Sequence, residues 1–553
     1  MDSKEKEIKE IAIEEESTQD AASVLMKGAS VLVIAAIISK IFGAIFRIPL
    51  TNMIGTEGQA YYSAAYPVYQ LFYTIATAGF PVAISKMVSE RVALGDYINA
   101  HKSYKLALKV STIIGIVAFV VMYLGAGAIA EFYRNPGAEM SMKAVSFALL
   151  FTPVLASLRG YYQGRQEMIP TGVTEVIEQF VRVVVGLSLA YAFYKVSLQN
   201  AAAGATFGAS AGVIAGLIIM VIIYAKDKPK RKLQMEGSII REENDRKRAK
   251  ELFWYVIPIT IGSSIMPIMF NIDSAIVIRR LMATGWSHTE SLKLFGLMGG
   301  YCDPIVSLPS VIIEAICISM MPAVTRAFTL RNQSELNNNI KTGLKTMMIV
   351  SCPCMIGLMV LARPILEMLF PKRIDEAHMA VITLQVLSAT IVTFAFMRAF
   401  STCLQGIGKM MLPVGNLFIG AVIKIIVSYI LIGIHAVNIN GAAASSVIAY
   451  IAAATLNFIA LKKYADVSLD LKSVFIMPFI SSLIMGAATI AAYKLLYLVT
   501  SSNIISTGLA IIIAVIVYFV TAFKTKAVTK EEIELIPKGD VLYRFAVKLR
   551  IAS

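Results

Sequence analysis

Apolar runs of membrane length recur along almost the whole chain. A transmembrane helix needs about 20 consecutive apolar residues. In the first half such runs lie near residues 28–50, 61–85, 106–130, 143–163, 172–195 and 201–225. In the second half they lie near 253–278, 294–322, 346–366, 379–404, 412–435, 440–461, 474–498 and 502–523. The pattern predicts an all-α polytopic membrane protein with about 14 transmembrane helices.

Composition excludes most other classes of protein. Of 553 residues, 57% are hydrophobic and 16% charged, whereas a soluble protein carries about 25% charged residues. A soluble enzyme and most single-span receptors are therefore excluded. The 51 Lys and Arg residues outnumber the 36 Asp and Glu residues, which is typical of cytoplasmic loops in membrane proteins, so we expect no nucleic-acid partner.

The distribution of Lys and Arg predicts the orientation in the membrane. Predicted inner connections are basic, most clearly between Lys226 and Lys250, while the outer connections TNMIGTEGQ, VSLQN and HAVNIN contain no Lys or Arg. The positive-inside rule then places both termini in the cytoplasm. The charged segment 1–27 lacks the features of a signal peptide, and we expect it and the tail 524–553 to be cytoplasmic.

The two halves of the chain resemble each other. FPVAISKMVSERVALG, beginning at Phe80, parallels MPAVTRAFTLRNQS, beginning at Met321, and LRGYYQGRQEMIP from Leu158 parallels MRAFSTCLQGIGKMMLP from Met397. Six predicted helices separate equivalent positions, so the repeats have the same orientation. We predict two parallel six-helix lobes, 28–225 and 253–461, joined by a hinge-like basic cytoplasmic linker at 226–252 and followed by two further helices within 474–523.

Charged side chains inside the predicted helices are the candidate functional residues, because a charge at the bilayer centre costs roughly 2.5–3.5 kcal/mol. Lys40 and Arg47 are seven residues apart and share one helical face. Glu178 and Arg182 are spaced to pair at i, i+4. The candidate substrate-binding residues are Lys40, Arg47, Glu178, Arg182, Asp273, Arg279, Arg280, Asp303 and Lys424. A cationic cavity between the lobes would suit an anionic substrate such as a phosphate.

Structural roles compete with these assignments. Arg159 and Arg398 lie near predicted cytoplasmic helix ends, where snorkelling to lipid head groups is the favoured interpretation. Arg279 and Arg280 fit an anchoring role at the outer interface equally well. The pair of Glu178 and Arg182 could serve structure alone.

Three segments carry a family resemblance. They are SKIFGAIFRIPLTNMIGTEGQAYYSAAYPVYQ (Ser39 to Gln70), AGFPVAISK (Ala78 to Lys86) and LRGYYQGRQEMIP (Leu158 to Pro170). They resemble the Gram-positive branch of the MurJ and stage V sporulation protein B group of the MOP exporter superfamily, and the similarity extends over almost the whole chain.

The resemblance implies a lipid-linked substrate. It implies a multi-pass protein of the bacterial plasma membrane that flips lipid II, or a similar polyprenyl-pyrophosphate glycolipid, from the inner to the outer leaflet by alternating access. It also implies a groove for the polyprenyl tail at helices 13 and 14 (474–523), contact with membrane lipid, and cell-wall synthesis machinery as a partner.

This sequence departs from the family pattern at several charged positions. Lys40 and Arg47 match the first-helix cations with one more intervening residue than in the Gram-negative branch. The acidic position that opens the second helix is Gln59, the later Arg falls near Leu71, and the Asp-Arg pair of the eighth helix reads Asp303-Pro304.

The remaining cations are hypothetical replacements in that charge set: Arg182, Arg279, Arg280 and Lys424. Some relatives bind sodium in the second lobe, but here the ammonium of Lys424 could take its place. We expect no bound metal.

Three other functions compete with lipid II flipping. The chain could flip a teichoic-acid, capsule or spore-cortex intermediate, or act as a cation-coupled multidrug exporter. A membrane glycosyltransferase or polymerase is disfavoured because every predicted outer loop is short. The chain lacks GxxxxGK[ST], HExxH and GxSxG motifs, so we expect a transporter rather than an enzyme, without a cofactor.

Overall fold

The computed structural model describes residues 2–239, 241–468, 470, 472–525 and 527–528, with side chains from residue 31 onward, residue 33 excepted. All regular structure in this part of the chain is helical, which confirms the predicted fold class. It contains 13 helical stretches long and apolar enough to cross a membrane. The first, Ile34–Ala93, has 60 residues, about 90 Å of helix and enough for two crossings. The count of about 14 helices stays a prediction.

The first helix joins two predicted spans, and the helices up to Ala283 range in length from 8 to 76 residues. They are α1 (Asp2–Thr77), α2 (Gly79–Ala93), α3 (Tyr97–Phe132), α4 (Glu139–Ser146), α5 (Ala148–Gly164), α6 (Ile169–Tyr194), α7 (Leu198–Lys226), α8 (Lys228–Glu236) and α9 (Asp245–Ala283). A 3₁₀ turn, Pro136–Ala138, precedes α4.

The helices after Ala283 are shorter at first and then reach membrane length. They are α10 (His288–Leu297), α11 (Asp303–Val306), α12 (Ser310–Thr329), α13 (Gln333–Val360), α14 (Ala362–Leu369), α15 (Ile374–Met379), α16 (Val381–Gly406), α17 (Met411–Ile432), α18 (Asn440–Ala465), α19 (Met477–Thr500) and α20 (Asn503–Lys524). Two π-helical turns are Met298–Cys302 and Lys472–Ile476.

The chain divides into two compact units. Unit 1 comprises Met1–Phe46, Ala65–Ile129 and Gly137–Ile268, and unit 2 comprises Arg47–Ala64, Ala130–Pro136 and Met269–Ser553. The chain therefore passes from one unit to the other inside α1, α3 and α9. The parallel lobes 28–225 and 253–461 stay a prediction.

Helix α1 joins two predicted spans, 28–50 and 61–85, that the sequence separates by an outer connection. The helix bends in this connection at Gly55, which has φ 63° and ψ −169°. Glycine adopts a positive φ without the steric cost that a Cβ brings. The connection is therefore a kink within α1.

Small residues bring helices together within each unit. In unit 1, a Cβ on Gly208 of α7 would lie 2.6 Å from the Cα of Gly186 on α6. In unit 2, a Cβ on Gly420 of α17 would lie 2.9 Å from the carbonyl oxygen of Ala449 on α18. Such close approach is how membrane helices associate when lipid supplies no hydrophobic driving force between them.

The last two helices belong to the core of unit 2. Ala514, Tyr518 and Ala522 of α20 are buried in the same apolar cluster as residues of α12, α13, α16 and α18. The Tyr518 hydroxyl donates to the carbonyl of Ile349 at 2.8 Å, and Asn503 donates to that of Pro364 at 3.0 Å. Their role as a groove for a polyprenyl tail stays a prediction.

The predicted span 294–322 is not a single helix. The region consists of α10, the π-helical turn, the short α11 and then α12. Pro304 and Pro309 interrupt it, because proline lacks the N–H that an α-helix requires and its ring crowds the preceding turn. Apolar composition alone does not reveal this break.

The linker 226–252 is anchored to unit 1 by ion pairs, and its role as a hinge-like connection stays a prediction. Arg165, after α5, pairs with Asp227 at 2.5 Å, and Arg91 of α2 pairs with Glu251 at 2.8 Å and also with Glu243. Cations at the ends of neighbouring helices thus hold the acidic residues of the linker.

Two predicted cytoplasmic segments are described only in part. The segment 1–27 forms the start of α1 from Asp2 onward, and its side chains lie outside the described residues. Of the tail 524–553, only residues 524, 525, 527 and 528 are described. The cytoplasmic location of both termini stays a prediction.

Candidate functional site

Two backbone carbonyls become available to side chains at the π-helical turn of unit 2. The N–H of Asp303 donates to Met298, five residues back, so the carbonyl of Gly299 loses its usual α-helical donor. Pro304 has no N–H and cannot supply the usual donor to the carbonyl of Gly300.

Two side chains of α1 bind these carbonyls. Arg47 donates from Nη1 to Gly299 at 2.7 Å, and Thr51 donates from its hydroxyl to Gly300 at 3.2 Å. Gly296, at the end of α10, must be a glycine for steric reasons, since a Cβ there would lie 1.8 Å from the carbonyl oxygen of Thr56. Segment Arg47–Ala64 is therefore held in unit 2 by backbone acceptors and by glycines that permit close approach.

Arg47 keeps donors available for a ligand. Its guanidinium carbon lies 5.4 Å from the centre of the Tyr62 ring, and it is within electrostatic range of the carboxylate of Asp303. Among the described residues only one of its N–H groups, on Nη1, donates a hydrogen bond. A guanidinium with free N–H groups can bind a phosphate through two parallel hydrogen bonds.

Lys424 and Asp273 form a buried ion pair in the same unit. The ammonium of Lys424, on α17, lies 2.5 Å from Oδ2 of Asp273, on α9. Their exposed fractions are 5% and 7%. Both charges act on Asp303, whose side chain is accessible to solvent. Unit 2 thus brings together four of the predicted residues: Arg47, Asp273, Asp303 and Lys424.

Arg279 and Arg280, also in unit 2, bind carbonyls near helix C-termini. Arg279 donates from Nε and Nη2 to Phe132, the last residue of α3, at 2.9 and 2.6 Å. Arg280 donates from Nε to Tyr429, in the last turn of α17, at 2.9 Å. The final carbonyls of a helix lack intrahelical donors and attract cations, so these contacts favour a structural role.

Lys40 is an exposed cation in unit 1. It lies within the membrane-length stretch Ile34–Ala93, and the structure shows no hydrogen bond or ion pair for it in the described part of the chain. Three residues further along, a Cβ on Gly43 would meet no atom within 4 Å. The ammonium of Lys40 therefore lies on an open face of α1.

Arg182 contacts aromatic side chains of unit 1. Its Nη1 donates to the Tyr66 hydroxyl at 3.1 Å. The guanidinium carbon lies 5.0 Å from the centre of the Tyr66 ring and 5.6 Å from that of Phe46. These contacts orient the guanidinium through a neutral hydroxyl and two aromatic rings.

The pairing that we predicted for Glu178 is wrong. Glu178 accepts a hydrogen bond from Nη2 of Arg159 at 3.0 Å and not from Arg182. The helical spacing favours Arg182, but the packing of α5 beside α6 brings a second guanidinium within reach. Snorkelling is also wrong for Arg398, which binds Glu314 through two hydrogen bonds of 2.6 and 2.7 Å.

Unit 1 contains a row of tyrosines that was not among the residues predicted from the sequence. The ring centres of Tyr66 and Tyr69 are 5.8 Å apart, and those of Tyr69 and Tyr73 are 5.7 Å apart. The spacing in YPVYQLFY places all three rings on one helical face, so the row is predictable from the sequence. The row leads from Arg182 towards the pair of Arg159 and Glu178, whose charges act on Tyr73.

The fold defines a class of membrane transporters. The structure of an inward-facing multidrug resistance MATE family transporter of the MOP superfamily matches with a TM-score of 0.64 and 15% identity, over 77% of this chain and 94% of that one. The structure of lipid II flippase MurJ in the inward closed conformation matches with a TM-score of 0.62 and 16% identity, over 88% and 97%. Both are membrane transporters, and the chain shares their fold.

The family is shown by sequence. The chain belongs to the lipid II flippase MurJ family, whose model matches residues 180–519, and a model described as polysaccharide biosynthesis protein matches residues 25–328. These matches confirm the resemblance found in the sequence, and membership of the family makes the protein a multi-pass membrane transporter and not an enzyme.

Two relatives come from Bacillus subtilis (strain 168). The lipid II flippase MurJ is 29% identical over 481 residues, covering 84% of this chain and 88% of the relative. Stage V sporulation protein B is 22% identical over 527 residues, covering 94% and 98%.

Proposed function

We propose that this transporter flips lipid II, an undecaprenyl-pyrophosphate-linked cell-wall precursor, from the inner to the outer leaflet of the bacterial plasma membrane by alternating access. Membership of the MurJ family supports the substrate, and the fold supports the mechanism. The charged head group cannot cross hydrocarbon unaided, because removing its charges from water is very unfavourable.

The exposed ammonium of Lys40 is the observation that carries this proposal. It lies in a stretch of membrane length and on an open face of α1. A cation there costs roughly 2.5–3.5 kcal/mol unless water or an anion solvates it. A pyrophosphate is such an anion, and its binding would recover this free energy.

Arg47 is the second proposed ligand of the pyrophosphate. One hydrogen bond to a backbone carbonyl orients its guanidinium, and the remaining N–H groups can bind phosphate oxygens. Asp303 is then a competing anion that holds Arg47 when no substrate is bound. Arg182 supplies further positive charge in unit 1.

The remaining parts of the proposal concern topology. Both termini would lie in the cytoplasm, and the polyprenyl chain would stay in lipid beside α19 and α20. The excess of cations would let the membrane potential act on the empty carrier, at about 2.3 kcal/mol per charge per 100 mV.

The experiment is to measure lipid II exposed on the outer leaflet of cells depleted of their own flippase. We expect the wild-type chain to restore exposure and growth, and Lys40→Ala with Arg47→Ala to abolish both. Lys462→Ala removes an exposed cation at the end of α18 and serves as the matched control. Normal exposure in the double variant would refute the binding site.

Two relatives suggest alternatives that the same strains can separate. The MATE fold favours a multidrug exporter, which predicts drug sensitivity in a deletion strain with normal lipid II exposure. The similarity to stage V sporulation protein B favours a precursor used during sporulation. In that case the chain would not restore growth to the depleted strain but would restore spore formation to a strain lacking the sporulation protein.

A further inference from the structure

The buried pair of Lys424 and Asp273 leaves one carboxylate oxygen open. The ammonium binds Oδ2, whereas Oδ1 is buried and has no hydrogen-bond partner among the described residues. A buried carboxylate requires a counter-charge, because burial in a medium of low dielectric strongly disfavours an uncompensated anion. Lys424 supplies that counter-charge from within the chain.

A monovalent cation does not fit beside this ammonium. A sodium ion bound to Oδ1 would lie only about 4 Å from Nζ of Lys424, and repulsion between two unit charges at that distance weakens binding on the order of a thousandfold at an effective dielectric constant of 20.

We infer that the tethered ammonium of Lys424 replaces the sodium ion that the resemblance to sodium-binding relatives places in this unit. The protein then folds and works without binding sodium at Asp273. A tethered cation cannot exchange with the solution, so this site does not respond to a sodium gradient. The inference concerns unit 2 alone and does not depend on which lipid the protein carries.

The first test uses the purified full-length protein in detergent. Its thermal unfolding midpoint is measured in NaCl and in KCl at equal ionic strength. A bound sodium ion would stabilise the folded state in proportion to its occupancy. We expect the same midpoint in both salts, and a higher midpoint in NaCl would overturn the inference.

The second test removes the ammonium. Lys424→Ala leaves Asp273 without its partner, so we expect a midpoint several degrees lower in KCl. Sodium chloride or n-propylammonium chloride should restore much of this loss, since either cation can enter the space beside the carboxylate. Asp273→Asn together with Lys424→Ala should not respond to either salt, and Lys462→Ala is the control for loss of an exposed ammonium.

The outcomes are decisive even if Lys424→Ala does not fold. Lys424→Arg retains a tethered cation and should behave like the wild type in both salts, whereas stabilisation of this variant by sodium counts against the inference. A folded Lys424→Ala that neither cation stabilises also counts against it, because Lys424 would then not be acting as the counter-charge.

Discussion

The two units surround an equivalent cation with different kinds of side chain. The similar segments of the two halves begin at Phe80 and Met321 and at Leu158 and Met397. The same offset predicts that Arg182 in unit 1 and Lys424 in unit 2 occupy matching places. Arg182 is held by a tyrosine hydroxyl and two aromatic rings, whereas Lys424 is held by a buried carboxylate. None of these contacts of Arg182 is with an anion, whereas the carboxylate of Asp273 neutralises Lys424.

This difference distinguishes cations that can bind a substrate from cations that stabilise the fold. An anionic substrate needs cations whose charge is not cancelled, and unit 1 offers Lys40 on an open face of α1. A cation that is neutralised within its own unit stabilises the fold and contributes little to the field felt by a ligand. We therefore expect substitutions in the two units to affect different properties.

The largest expected effect is on the stability of unit 2. Lys424→Met leaves a buried carboxylate without its partner, which costs about 3–5 kcal/mol. Arg182→Met removes, among its contacts, a charged hydrogen bond to the Tyr66 hydroxyl, which costs about 1.5–3 kcal/mol. Thermal unfolding in detergent measures both. Adding Asp273→Leu to Lys424→Met should recover most of the loss, and equal costs for the two single variants would contradict the comparison.

The second prediction compares glycine packing in the two units. A Cβ on Gly212 of α7 would lie 2.4 Å from the carbonyl oxygen of Glu178, whereas one on Gly420 of α17 would lie 2.9 Å from that of Ala449. Overpacking costs about 1–3 kcal/mol, so we expect Gly212→Ala to lie near the upper value and Gly420→Ala near the lower. Gly508→Ala, where a Cβ meets nothing within 4 Å, is the control.

The third prediction concerns the ion pairs of Arg159 in unit 1 and Arg398 in unit 2. Side chains of Arg159 and Glu178 are 17% and 20% exposed, against 35% and 38% for Arg398 and Glu314. Arg159 makes one hydrogen bond to its carboxylate and Arg398 makes two, but the pair of Arg159 is the more buried. Because burial strengthens a charged hydrogen bond, we expect Arg159→Gln to cost about 2 kcal/mol and Arg398→Gln about 1 kcal/mol. The reverse order in unfolding measurements would show that the two hydrogen bonds between Arg398 and Glu314 contribute more to stability than the greater burial of Arg159 does.

The smallest expected effect concerns Glu243, which lies in the loop of unit 1 between α8 and α9 and pairs with Arg91 of α2. Burial raises the pKa of Glu243, but hydrogen bonds and charge from Arg91 and then Arg248 outweigh it, so this pKa lies below its usual 4.5. The stability that the carboxylate contributes is therefore complete above pH 4.5 and is lost as pH falls through the lower, folded-state value.

The test of this pH dependence compares Glu243→Gln with the wild type. We expect the variant to be less stable by about 1 kcal/mol at neutral pH, because Arg91 keeps its ion pair with Glu251, with a difference that shrinks below pH 4.5. Unfolding midpoints measured across the acid range give this difference, and one that does not change with pH would exclude the carboxylate as its source.

The sequence predicts the class of fold because apolar runs long enough to cross a membrane have few other solutions. It does not predict which charges pair. The local i, i+4 rule favours Arg182 as the partner of Glu178, yet Arg159 reaches it from 19 residues away. Asp273 and Lys424 are 151 residues apart, and only tertiary packing brings them together.

The break in the predicted span 294–322 has a similar lesson. Pro304 is visible in the sequence, but apolar periodicity does not show that the chain widens into a π-helical turn before it. The carbonyls of Gly299 and Gly300 have no side-chain signature, so the contacts of Arg47 and Thr51 could not be predicted. Backbone acceptors become visible only when the dihedral angles of the chain are known.

The same carbonyls bear on how the protein can diverge. Because the acceptor for Arg47 is main chain, no single base change can delete it. Surrounding side chains can drift during evolution while the acceptor persists, provided that the small residues and the proline of the turn remain. In a homologue, another long hydrogen-bond donor can replace the arginine and bind the same main-chain oxygen.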